Sequence, residues 1–196
     1  MKRESGKYGV SALDYLDRAL VLEQSKELRD LFHAAFELRC ALERTPFDYL
    51  VLMTGGDSNE VLKHPGKYKP RDVFALARAL DSEIEDRIRF GSLLLRSENL
   101  ISEEESFDPK WLAEAHRECD QYLHAQKDPA TTVDDSAWVE DLRLFLGKTA
   151  EKLLAMWKAN QGVPVKLTRS GSELWKLFKS RKYNDEQMIR MMRLAE

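Results

Sequence analysis

An arginine and a histidine on one helical face form the arrangement best suited to chemistry in this chain. Arg117 and His124 stand seven residues apart, within about 20° of each other on a helix of 100° per residue. With Trp111 at 0°, Tyr122, Ala115, Cys119 and Leu112 span about 100° and make an apolar face. Arg117 and His124 fall at about 240° and 220°, away from it. A histidine there can move the proton of a ribose 2′-hydroxyl. An arginine can stabilise charge developing on phosphate. Their Cα atoms are about 10.5 Å apart along a helix, so one phosphate meets both only if the helix end relaxes or a second subunit contributes. A symmetric dimer would bring two of each into one cleft. The same strip also reads as an ordinary solvated face.

Other constellations point to other roles. Arg39 falls inside the apolar face that Leu28, Leu31, Phe32, Ala35 and Leu42 make on a helix over 26–44. Glu43 lies one turn on, at i, i+4, and the pair reads as an internal ion pair that fixes packing, with a catalytic or binding role as the other reading. His116, Asp120 and His124 mimic a metal stripe at i, i+4, i+8, but no second cluster matches them and no Glu-x-x-His occurs. No metal and no cofactor are expected. GxGxxG, P-loop and GxSxG signatures are absent from the sequence, which removes the common nucleotide and hydrolase motifs. Lys63, Lys67, Lys69 and Arg71 form a basic cluster for an RNA backbone or for solvent. Towards the C-terminus, Lys176, Lys179, Arg181 and Lys182 interleave with Trp175, Phe178 and Tyr183. That composition suits RNA or an acidic protein surface, and equally an amphipathic helix docked on the body.

The elements that must position these residues are helical. The 196 residues are 43% hydrophobic and 33% charged, with only 9 Gly and 6 Pro, which disfavours disorder and turn-rich β folds. Ser11 with Asp14 forms a capping box, and helical spacing continues to Arg44, as one rod or with a restart at Ser25. Thr45-Pro46 is a kink or a new start. Pro70 opens a helix through Ile88, Gly91–Ile101 with its Leu93-Leu94-Leu95 run suggests a short extended excursion, and Asp108-Pro109 opens a helix over 110–126. Asp134, Asp135 or Ser136 caps the longest amphipathic helix, which ends at Gly162. Val163–Leu167 alternates like a short strand, and two helices follow, one started by Ser170 or Ser172 and one capped by Asn184 or Asp185. Residues 157–196 hold nine Lys and Arg against four Asp and Glu, a net of +5, although the whole chain carries −3. We therefore expect a helical body over 1–160 and a basic appendage over 161–196. Two cysteines, Cys40 and Cys119, are too few for a disulfide framework. No signal-peptide pattern or membrane-length apolar run is present, so a cytoplasmic protein with no membrane partner is expected.

Glu37-Leu38-Arg39 followed by Leu42-Glu43 resembles the opening helix of bacterial HEPN-like proteins. Tyr68-Lys69-Pro70 is similar to a Trp/Tyr-x-Pro position in related proteins. Tyr122-Leu123-His124-Ala125 resembles the aromatic-aliphatic-His-small signature late in that domain. Arg117, Glu118 and His124 match the R-x(4–6)-H ribonuclease motif at its longest spacing, with Glu118 where Asn, Asp or His is more usual. The resemblance covers about residues 10–160. It implies a mainly α fold, a four- to five-helix bundle, and a homodimer. It also implies metal-independent RNA cleavage in host defence or beside an antitoxin, with His124 as general acid or base, Arg117 on phosphate and Glu118 orienting them. The alternative is a catalytically silent helical dimer that binds a partner protein through its dimer face or basic tail.

Overall fold

Ser11 begins the first helix as its spacing predicts. Its hydroxyl accepts from Asp14 N at 3.2 Å, and Asp14 Oδ2 accepts from Ser11 N at 2.8 Å, satisfying two otherwise orphaned donors. The computed structural model describes residues 11–53, 69–124, 136–159 and 169–195. Among them are eight helices and no strand: α1 Ala12–Glu23, α2 Leu28–Met53, α3 Pro70–Leu80, α4 Ile84–Ser97, α5 Pro109–His124, α6 Ser136–Ala159, α7 Arg169–Lys179 and α8 Asp185–Leu194. The protein is all-α over the described residues. The expected strand at Val163–Leu167, the stop at Gly162, and the basic residues Lys63 and Lys67 lie outside them. No helix among the described residues is long and apolar enough to cross a membrane.

Two open alternatives are settled, and two expectations about element boundaries change. Of the two readings of 11–44, the restart near Ser25 holds: there are two helices, separated at residues 24–27, where Ser25 Oγ donates to Asp30 Oδ2 at 2.7 Å. Pro46 starts nothing: α2 runs through it. Proline withholds the bond that the Leu42 carbonyl would have received, while Thr45, buried beside it, donates from Oγ1 to the Ala41 carbonyl at 2.8 Å. Leu93–Leu95 is not extended but helical, within α4. The helix opened by Pro70 is likewise interrupted at Asp81, whose Oδ1 accepts from Glu83 N at 2.9 Å.

The chain divides into two units, 1–74 with 108–154, and 75–107 with 155–196. In the first, α1 packs along α2, and α5 packs on another face of α2. Their buried side chains include Leu16, Leu31, Leu38, Leu42 and Leu112. Rings bring in α6: Trp138 stands 5.7 Å from Phe32 and 5.9 Å from Tyr122. In the second unit, Phe90 and Leu93 of α4 meet Leu174 and Phe178 of α7 and Met188 and Met192 of α8. The α7–α8 turn places Arg181 at φ 56°, a left-handed conformation that helix ends commonly adopt just past the last turn.

Candidate functional site

Asp108 builds the start of α5. Its Oδ1 accepts from Lys110 N at 2.9 Å and Trp111 N at 3.1 Å, occupying donors that the first turn leaves open. The helix then buries Leu112, Ala115, His116 and Cys119. Cys119 Sγ donates to the Ala35 carbonyl of α2 at 3.0 Å. Burial pushes this thiol up to about 12 and the Cys40 thiol up to about 11, so neither supplies a thiolate nucleophile near neutral pH.

Arg39 has more partners than Glu43. Its Nε lies 3.2 Å from Glu43 Oε1 and 3.0 Å from Asp120 Oδ1. His116 Nε2 lies 2.9 Å from the same Glu43 oxygen, and its Nδ1 is 3.7 Å from Asp120 Oδ2. Two i, i+4 pairs, one on α2 and one on α5, thus interlock into a four-residue charge cluster. In sequence, His116, Asp120 and His124 only mimic a metal stripe. The structure separates them: His116 is 4% exposed and turned to α2, whereas His124 is exposed. Among the described residues, no group of three or more His, Cys, Asp and Glu side chains is arranged to hold a metal ion.

Arg117, Glu118 and His124 are all exposed on α5. They do not form one group. Glu118 lines a groove of about 420 Å³ between α5 and α6 with Trp111, Glu114, Tyr122, Asp141 and Phe145, whereas Arg117 and His124 are not among its walls. The wheel explains the split, since one residue's step of 100° carries Glu118 from the Arg117 strip to the groove side. Burial pushes the Tyr122 hydroxyl up, and the carboxylates of Glu118 and Asp141 add to the shift. Among the groove's walls, the carboxylates Glu114, Glu118 and Asp141 outnumber the one lysine, Lys148.

The basic candidates also divide. Lys69 and Arg71 are exposed, and Arg71 makes only a 3.9 Å approach to Asp72. In the second unit, Lys176 and Lys182 are exposed. Lys179 Nζ is instead held by Asp86 at 2.6 Å and Glu83 at 3.1 Å, and Arg181 donates to Asp86. Two of these four cations, Lys179 and Arg181, are thus paired within their own unit.

Burial alone would raise the Asp86 carboxyl, but the hydrogen bonds from Lys179 and Arg181 together outweigh it and hold the group below its usual 3.8. A carboxylate depressed in the folded state stabilises above its unfolded value, and this contribution disappears as pH falls through the folded one. Asp86→Asn should therefore unfold at lower urea concentration than the parent near pH 6. The gap should narrow once pH falls below 3.8 and close only as pH passes through the lower folded value. A pH series of urea titrations measures it.

Comparison with family models, with curated proteins and with solved structures finds no match for the chain.

Proposed function

We propose that the chain is a HEPN-like, metal-independent endoribonuclease that works as a homodimer in host defence or beside an antitoxin. The observation that carries this reading is the strip of α5 on which Arg117 and His124 both stand exposed, two turns apart. His124 moves the 2′-hydroxyl proton and Arg117 meets the phosphate. A second subunit supplies the partner pair that the two-turn spacing requires. Lys69 and Arg71 are exposed cations suited to the RNA backbone. Glu118, on the groove side of α5, is the weakest member of the motif.

The test is cleavage of mixed cellular RNA by the purified protein in EDTA. His124→Ala should slow cleavage by about 10²–10⁴-fold, the ordinary worth of a general acid or base. Arg117→Ala should act similarly. Because both side chains are exposed, neither change should disturb folding, which a urea titration checks. Absence of cleavage, or equal cleavage by parent and variants, sinks the nuclease reading.

One observation favours the silent interaction module instead. Glu118 is turned into the α5–α6 groove rather than towards Arg117 and His124. In that reading Lys176 and Lys182 are the cations free to meet an acidic partner, because Lys179 and Arg181 already hold Asp86.

A further inference from the structure

The α5–α6 groove shares only Glu118 with the nuclease reading, and its walls combine two chemistries. Aromatic rings line it at Trp111, Tyr122 and Phe145, the last two 5.1 Å apart between centroids. Glu114, Glu118 and Asp141 bring three carboxylates against two cations, Lys148 in the wall and Lys152 over the Trp111 ring. Leu144 stands at the lip and is 53% exposed, an apolar side chain without a buried role. The rings already attract cations: Lys152 Nζ sits 4.5 Å from the centre of the Trp111 ring.

We propose that this groove docks an arginine-bearing, otherwise apolar segment of a partner protein. A guanidinium is planar and weakly hydrated, stacks on aromatic faces, and forks to carboxylates. Tyr122, Glu118 and Asp141 line the same groove and offer both at one place. Leu144 gives the flanking apolar residues a surface. The volume of about 420 Å³ lies at the small end of ligand pockets, which fits one long side chain and its neighbours rather than a folded surface. The carboxylates oppose a nucleic-acid strand, so this face is distinct in kind from the Arg117–His124 strip. The inference holds whether or not that strip cleaves RNA.

The probe is a short fluorescein-labelled peptide with one arginine between leucines, followed by fluorescence anisotropy on the full chain. Its citrulline counterpart keeps the shape and removes the charge, and should bind about tenfold more weakly, the equivalent of 1.4 kcal/mol. Asp141→Lys should weaken the arginine peptide at least as much. Asp141 is exposed, so the fold should survive, and unchanged helical circular dichroism checks that. Trp111→Leu, which keeps an apolar wall but removes the ring, should also weaken binding. The proposal is overturned if the arginine peptide does not bind, or if citrulline or Asp141→Lys makes no difference. It is equally overturned if spermidine displaces the peptide as effectively as unlabelled peptide does, because charge alone would then account for the binding. Displacement by an RNA oligonucleotide would also overturn it, by assigning the groove to nucleic acid.

Discussion

Arg39→Met is expected to lower the free energy of unfolding by about 2–3 kcal/mol. Methionine keeps most of the buried stem but removes the cation that stands between Glu43 and Asp120. Two carboxylates would then share the cluster with His116 alone. Breaking a fully buried pair costs about 3–5 kcal/mol. The smaller figure follows because Arg39, Glu43 and Asp120 keep about a quarter of their side chains exposed, at 27%, 23% and 23%. The second variant separates charge from packing. Asp120→Leu added to Arg39→Met should recover part of the loss, since one of the two uncompensated carboxylates disappears with it. A strong favourable coupling in that double-mutant cycle is the signature of electrostatics, whereas additive losses would mean that the cluster acts only by filling space.

Leu38→Ala should cost about 3 kcal/mol, within the 2–5 kcal/mol range of leucine truncations. Leu38 is 0% exposed in the core of the first unit, so the lost methyl groups leave a cavity as well as a lost transfer term. Val21→Ala provides the contrast. Val21 is 72% exposed on α1, and its truncation should change stability by less than about 0.5 kcal/mol. Urea titrations of the three proteins should show a lower midpoint for Leu38→Ala with little change in slope. Equal effects at both positions would contradict the burial pattern.

The helix ends were the most legible part of the fold. Ser11, Asp108 and Asn184 announce themselves because a short polar side chain before an apolar-periodic run can satisfy orphaned amides, and all three cap helices here. The interruptions were less legible. Leu93–Leu95 is a run of one residue type, and periodicity alone cannot divide such a run between helix and strand. Its identity as helix depends on Leu174, Phe178 and Met188, which lie far along the chain. Pro46 misleads for the opposite reason, since a strong local breaker is overridden by the packing around it. At the candidate site, the outward placement of Arg117 and His124 was visible from azimuth. The partnership of Arg39 with Asp120 was not, because it depends on which face of α5 meets α2.

The second unit has a consequence for synthesis. Its halves are far apart in sequence: Arg89 of α4 pairs with Asp185 of α8 across 96 positions. At translation rates of about 5–20 residues per second, α4 waits roughly 5–20 s for its partners to emerge. During that interval Phe90 and Leu93 present an apolar stripe to the crowded space around the ribosome. Holdase chaperones or premature association compete for it there. Premature termination before α8 would leave that stripe permanently uncovered, so truncated products should be removed by proteolysis or accumulate as aggregates even when the first unit has folded.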